Sequence, residues 1–484
     1  MATPIPDNHA RFTADEVLAA TAGARAAAGP DFSVDGVTTD SRGDVGGKLF
    51  VALSGEHFDG HRFVDDVLGR GASAVIVRRG ATTADASRAV EVDDPLVALG
   101  ALARAHRRRW GGTLVAIGGS AGKTTTRSAA RAALEAVSPG AVHAVAGNLN
   151  NRIGLPMVLF GLTNEHAVAV VELGTNQRGE MRMLAAIAEP NVGVLTLVDT
   201  EHSEGIGSLD DIEEEEGDLF RALPKSGTAI VNGDDARAVR QLLGSPARKK
   251  ITYGTRGASD YRIARRESLG LDASRITLER PRGRGRGRDT LTLDVPLIGP
   301  PGALAVAAAV AVADCVAGRT VPADRIMTAF THARLAEPGR LRPVELADRT
   351  VVVDDTYNAN PASVRAAVSA AREIADDRGA RLFLVLGEMR ELGAEATAHH
   401  DAIGREVSAS GASVLVAIGG DAARFVALAT ASGLDATFAT DAEAAVRVVL
   451  DRVRSGDVVL VKASRGIHAE KIVEELIRAK GRAA

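Results

Sequence analysis

Short apolar runs separated by longer, helix-spaced stretches recur along most of the chain. The runs at 114–117, 167–172, 192–197 and 228–232 are too short for helices and predict buried strands, with helical segments between them. Strands alternating with helices predict a parallel, doubly wound α/β sheet, whose ligands bind at the carboxyl ends of the strands. Upstream, 48–53 (KLFVAL) and 74–77 read as buried strands and 34–40 as extended chain. Segments 13–28, 63–68 and 95–110 read as helices. The pattern restarts near 337, with strands at 350–354, 381–386, 414–418 and 457–461 and a helix at 362–374 opened by Pro361. Segment 253–296 is less regular and predicts a β-hairpin with an Arg-Gly tip at 282–288. Segment 303–316 is almost pure Ala and Val, apolar all round, and therefore a buried helix.

Chemistry enters at 115–126, which reads VAIGGSAGKTTT. A strand breaks into Gly118-Gly119-Ser120-Ala121-Gly122-Lys123-Thr124-Thr125, and a helix-compatible run follows at 127–137. Glycines let backbone N–H groups close on phosphate oxygens, and the helix start adds positive potential. Lys123 reaches the outer phosphates, and the Thr124 hydroxyl can hold Mg²⁺. The strict G-x-x-x-x-G-K-[ST] pattern fails at its first glycine, which would fall on Ile117. The expected architecture is α/β in three domains. A smaller N-terminal α/β domain covers 1–94. A central P-loop-type, doubly wound, mostly parallel sheet covers 95–334. A Rossmann-like C-terminal α/β domain covers 335–484.

Further polar clusters follow the predicted strands. Glu172 ends one, where a carboxylate suits Mg²⁺ shared with phosphate. His202 follows another, within the cluster 199–202. Asn148, Asn150, Asn151 and Arg152 lie in a donor-rich loop that either turns or binds a polar substrate. Thr39-Asp40-Ser41-Arg42, taken alone, reads as a helix cap with a surface charge. Asp354 to Pro361 packs donors and acceptors between a strand end and a helix start. Arg340, at the domain junction, can reach a phosphoryl group with its planar donor set.

Composition narrows the function classes. The 484 residues carry a net charge of −4, so no general attraction to nucleic acid or anionic membrane follows. The Arg-Gly run has no interleaved aromatics and reads as a solvated hairpin tip. A single cysteine, Cys315, excludes an internal disulfide and fits a reducing cytoplasm. The N-terminus has no signal pattern, and no charge-free apolar run long enough for a membrane span occurs.

Taken together, these motifs resemble the Mur ligases over nearly the whole chain. TTDSR (38–42), KLFVALSGEHFDGHRF (48–63) and GASAVIV are similar to that family's UDP-substrate domain. GSAGKTT (119–125), GNLNNRIGLP (147–156), ELGTNQRGEM (172–181) and NGDD (232–235) are similar to its ATPase domain. GRL (339–341), DDTYNANPASV (354–364), LGEMRELG (386–393) and KASRG (462–466) are similar to its C-terminal domain. The Tyr-Asn-Ala-Asn-Pro motif, with Leu-Gly-Glu-Met-x-Glu-Leu-Gly, points within the family to addition of D-alanyl-D-alanine to a UDP-muramoyl tripeptide.

The resemblance implies that ATP phosphorylates the tripeptide carboxylate and that the dipeptide amine attacks the acyl phosphate. It implies ATP contacts at Gly119, Ser120, Ala121, Gly122, Lys123, Thr124, Thr125, Arg340, Asp355 and Tyr357. It implies catalytic roles for Lys123, Glu172, His202, Glu216, Arg340 and Asp355. Two Mg²⁺ ions would lie at Thr124, Glu172, His202 and Glu216. Ser41, Arg42, Asn150 and Asn151 would hold the UDP-muramoyl peptide, and Asn358, Asn360 and Glu388 would face D-Ala-D-Ala or the nucleotide. The implied partners are these small molecules, with no nucleic acid and no membrane span, for a cytoplasmic monomer.

The chain departs from the family pattern at several positions. Glu216 stands where the family has a lysine carbamylated by CO₂, and the expectation is a built-in anionic metal ligand. The competing reading is a solvated acidic face with Glu213, Glu214 and Glu215. Leu197, Pro301-Gly302 and Ala305 replace the family's Asn, His-Asn and Asn, and Ala463 replaces a glycine. Two alternatives are a Mur-type ligase with another acceptor and a non-catalytic paralogue that binds ATP or UDP-muramoyl peptide. Retention of Lys123, Glu172, His202, Arg340 and Asp355 speaks against the paralogue.

Overall fold

Leu114 and Ala116 face one core and Val115 and Ile117 another, because successive side chains on a strand point to opposite faces. A strand dry on both faces belongs inside a layered α/β sheet. The computed structural model, which describes residues 5–27, 31–56, 58–271, 273–282, 287–331, 333 and 335–483, shows this sheet. Its order is Val142–His143, Val168–Glu172, Thr113–Gly118, Val192–Leu195, Thr228–Asn232, Lys249–Gly254, Tyr261–Ser268, Ser274–Pro281 and Arg288–Val295. Pairing is parallel up to Tyr261–Ser268 and antiparallel through the last two strands. In register, Ile117 pairs with Glu172 on one side and Val194 on the other. The glycine loop, Glu172 and the segment after Leu195 therefore leave the sheet at one edge.

Helices Lys123–Glu135 and Gly299–Ala317 pack together on one face of this sheet. The second is long and apolar enough to cross a membrane by length and composition. Its alanines and valines from Ala305 to Ala313 are instead buried in the core, as expected from its even apolarity. The opposite face shares a continuous core with a five-stranded N-terminal sheet, in which Phe12, Val37, Leu49 and Ile76 join Leu102, Leu114 and Leu155. A six-stranded C-terminal sheet runs Arg342–Glu345, Val351–Asp355, Val458–Lys462, Leu382–Gly387, Val414–Ile418 and Asp435–Ala439. All its pairs are parallel except the first.

Several predicted boundaries differ from the observed ones. The helix expected over 13–28 ends at Thr21, after a capping box at Thr13, because Ala22 turns left-handed at φ 51°. At Gly23 a Cβ would meet Val90 Cγ1 at 2.8 Å, and Ala24–Arg25 pairs instead with Ala89–Val92. The end of that prediction, Ala28, lies outside the described residues, as does His57 in the predicted polar turn. The single hairpin expected over 253–296 is two hairpins built from three strands. Arg282 N donates to Gly287 O at 3.1 Å, and 283–286 of the predicted Arg-Gly tip lie outside the described residues.

Candidate active site

The loop after Thr113–Gly118 is held from below and from the side. Gly119 adopts φ +118°, and a Cβ there would stand 2.2 Å from Thr196 Oγ1, so no side chain fits. Thr196 Oγ1 lies 3.1 Å from Gly118 O and 2.7 Å from Ala121 O, fastening both ends of the turn. Ser120 N donates to Leu197 O at 2.9 Å, and Gly119 N donates to Glu216 Oε2 at 2.7 Å. Glu216 therefore lies against the loop backbone. It is not part of a solvated acidic face. Glu213, Glu215 and Glu216 are all buried, and of the four glutamates only Glu214 is exposed. Glu213 pairs with Arg237 and Arg240, and Glu215 accepts from Gly179 N and Met181 N. Burial pushes the Glu216 carboxyl up to about 7, against the opposing pull of Lys123.

Lys123 opens the loop helix. Its ammonium lies 2.5 Å from Gly119 O and 2.9 Å from Glu201 Oε1. Burial alone would lower its pKa, but Glu201, Glu216 and Glu172 outweigh burial and raise it. One residue on, Thr124 Oγ1 donates to Glu172 Oε2 at 3.2 Å. The other carboxylate oxygen, Oε1, is buried 2.8 Å from Arg127 without an aligned hydrogen bond. A threonine hydroxyl beside an under-satisfied carboxylate is a donor set that fits Mg²⁺. His202 sits at φ 52° with Nδ1 2.5 Å from Glu391 Oε2 and Nε2 4.0 Å from Glu201. Burial would lower its pKa, but the bond to Glu391 and the charge of Glu201 raise it. Among the described residues, no three His, Cys, Asp or Glu side chains converge into a metal-holding group. Glu172, His202 and Glu216 thus stand around the loop without forming one cluster.

The C-terminal domain closes on the same edge. Asn360 caps helix Pro361–Arg378, and its Nδ2 donates to Ser120 O at 3.1 Å and Glu201 Oε2 at 2.9 Å. Glu337, in the segment joining the domains, receives Arg127 and also Ser128 Oγ at 2.9 Å. Asp355 accepts from Leu341 N at 3.0 Å and from Lys462 Nζ at 2.6 Å, and Lys462 also donates to Asn358 O at 2.8 Å. The Arg340 guanidinium stacks 3.7 Å from the Tyr357 ring centre.

Asn151 Oδ1 accepts from Gly154 N at 2.8 Å, and Asn150 O accepts from Gly174 N at 2.9 Å, beside the Glu172 strand end. Ser41 O accepts from Arg70 at 2.5 Å, and Arg42 forks onto Asp40, both at the surface of the N-terminal domain. Glu388 accepts from Asp421 N at 3.2 Å and pairs with Arg390. Glu201, Glu337 and Lys462 were not singled out from the sequence. Glu201 could have been, since it lies in the flagged cluster 199–202.

Residues 33–107 match the Mur ligase family catalytic domain, 117–313 the Mur ligase middle domain, and 339–465 the Mur ligase glutamate ligase domain. The chain is 35% identical over 451 residues to a UDP-N-acetylmuramoyl-tripeptide–D-alanyl-D-alanine ligase of Escherichia coli (strain K12), covering 93% of this chain and 95% of that protein. A crystal structure of MurF from Acinetobacter baumannii superposes with TM-score 0.84 at 27% identity, covering 98% of this chain and all of that one. MurF ligase from Thermotoga maritima in complex with ADP gives 0.78 at 26% identity, covering 91% and 97%.

Proposed function

The chain belongs to the Mur ligase family, and from this we infer its reaction: ATP-dependent joining of D-alanyl-D-alanine to UDP-N-acetylmuramoyl-tripeptide, in peptidoglycan precursor synthesis. The observation that carries this reading is the phosphate loop itself. Lys123 and the Thr124–Glu172 pair stand at one strand edge, and the C-terminal domain reaches that edge through Asn360.

The reaction takes two steps. An oxygen of the tripeptide carboxylate attacks the γ-phosphorus, and ADP leaves. The D-Ala-D-Ala amine then attacks the acyl carbon, the carbon–oxygen bond to phosphate breaks, and the amine loses a proton as the amide forms. Little covalent work falls to the protein, whose task is positioning and charge neutralisation. Lys123 offsets charge on the outer phosphates. Asn150 and Asn151 near the Glu172 strand end, with Ser41 and Arg42, hold the UDP-muramoyl peptide. Arg340 and Tyr357 form a stacked pair for the nucleotide, and Asp355 fixes the Arg340 turn through Leu341 N. Asn358 and Glu388 face the dipeptide side. Mg²⁺ held at Thr124 and Glu172 would supply positive charge to the phosphate oxygens. A second ion at His202 requires the Glu391 pair to open. Glu216 fixes Gly119 N through one carboxylate oxygen, and the anionic-ligand role expected from the sequence would fall to the other. The working form is a monomer in the cytoplasm.

The test is phosphate release with ATP, Mg²⁺, UDP-muramoyl tripeptide and D-Ala-D-Ala, omitting each in turn, with and without bicarbonate. Release that requires every component and ignores bicarbonate is the expected result. Release that does not depend on D-Ala-D-Ala, or none under any combination, refutes the reading.

A further inference from the structure

Glu201 touches both the phosphate loop helix and the C-terminal domain with one carboxylate. Oε1 accepts from Lys123 Nζ at 2.9 Å, and Oε2 accepts from Asn360 Nδ2 at 2.9 Å. The residue is 9% exposed, so these contacts form away from bulk water, where a charged hydrogen bond is strong. Asn360 is itself fixed. Its Oδ1 accepts from Ser363 N at 2.9 Å at the helix start, and its Nδ2 also reaches Ser120 O. Any displacement of helix Pro361–Arg378 therefore pulls the carboxamide from Glu201 and from the loop together. On the other side, the Lys123 ammonium divides its donors between Gly119 O and Glu201. A nucleotide phosphate and the Glu201 carboxylate are both anions that want the same ammonium, so they compete for it.

We propose that Glu201 is a positioning residue that competes with nucleotide phosphate for Lys123 and at the same time anchors Asn360, so that the C-terminal domain docks on the phosphate loop. With Asn360 docked, one oxygen of Glu201 holds the carboxamide and the other still holds the ammonium. Nucleotide phosphate that draws Lys123 away leaves the carboxylate to Asn360, and the docked domain stays in place for phosphoryl transfer. The idea rests on the ligase reading above, and it makes an unusual demand. Removing the charge of Glu201 must strengthen nucleotide binding while weakening turnover. A side chain that merely supported the fold would move both in the same direction.

The experiment compares wild type, Glu201→Gln, Asn360→Ala and the double variant as full chains. ADP affinity is read by calorimetry in Mg²⁺ buffer and turnover by phosphate release. Expected for Glu201→Gln is a several-fold lower ADP Kd with kcat reduced at least tenfold. Asn360→Ala lowers kcat with ADP Kd within twofold, and the double variant is no slower than the worse single, because the two act as a unit. Weaker ADP binding in Glu201→Gln, kcat within twofold of wild type, or multiplicative losses in the double variant overturn the proposal. Glu201→Ala gives the same pair of readings if the glutamine variant folds poorly. Failure of the ligase reading shows separately, as absent turnover in the wild type, whereas the ADP affinity ratio needs no acceptor.

Discussion

Glu216 has a carboxyl that the fold moves from 4.5 to about 7, chiefly by burial. Between those values the folded chain holds a proton that the unfolded chain has lost. Its stabilising contribution is therefore complete below about pH 4.5 and is lost as pH rises through about 7. A shift of this size corresponds to on the order of 3 kcal/mol. Glu216→Gln keeps an acceptor for Gly119 N and removes the titration, so its stability relative to wild type rises between pH 5 and pH 8. Urea melts at the two pH values measure this, and an equal pH slope in both proteins would contradict it. At this scale the sequence was legible where meaning is local. Strand, glycines, Lys123 and Thr124 are adjacent in the chain and announce a phosphate loop, and Glu172 ends its strand beside them. The contacts of Glu201 and Glu337 were not legible, although Glu201 lies in the flagged cluster 199–202. Their partners lie 159 and 210 residues away, at Asn360 and Arg127, and only the folded chain brings them together.

Helix Leu209–Arg221 carries Glu213, Glu215 and Glu216 and so holds the underside of the loop. Its start is secured by a reciprocal pair: Ser208 Oγ accepts from Asp211 N at 3.2 Å, and Asp211 Oδ2 accepts from Ser208 N at 2.9 Å. Ser208→Ala removes the acceptor of Asp211 N, while the backbone N–H at 208 keeps Asp211 Oδ2, and costs about 1 kcal/mol, read as a lower urea midpoint with an unchanged slope. Among elements, long regular ones were legible. Pro95–Trp110 is predicted to the residue, because Asp94 and Pro95 open it and Gly111 ends it at φ 70°. The strands Ala89–Val92, Arg342–Glu345 and Asp435–Ala439 were not. Each is short and carries a charged residue, and each exists because a neighbouring strand offers an edge to pair with. The helix over 13–28 failed for a related reason. Its alanines favour helix at every position, yet the backbone reverses at Ala22 to reach the edge of the N-terminal sheet.

Across the whole molecule, the C-terminal domain meets the central one through several elements: Arg266 pairs with Glu373, Arg365 with Asp199 and His202 with Glu391, and Ile298 packs into the C-terminal core. Glu337 joins the segment between domains to Arg127 and Ser128 of the loop helix, and Arg127 also touches Gly147 O at 2.6 Å and Glu172. Glu337→Ala cuts this tie without touching either core. Its expected signature is a larger radius of gyration in solution scattering and a several-fold lower kcat, with urea stability of the domains within about 0.5 kcal/mol of wild type. Unchanged scattering would show that the tie does not hold the domains together. The doubly wound plan of the central sheet was legible from strand and helix alternation, whereas the direction in which the domains close was not, since it rests on contacts between residues far apart in the chain.

The apolar helix Gly299–Ala317 bears on how the chain is made. The last strand of the central sheet, Arg288–Val295, precedes it. During synthesis every strand of that sheet has therefore left the ribosome before this segment emerges, and a partly built face is waiting for it. Moving the chain ends so that translation began at Gly299 would reverse the order. The first segment to emerge would then be one with the length and composition of a membrane span and no sheet face ready to cover it.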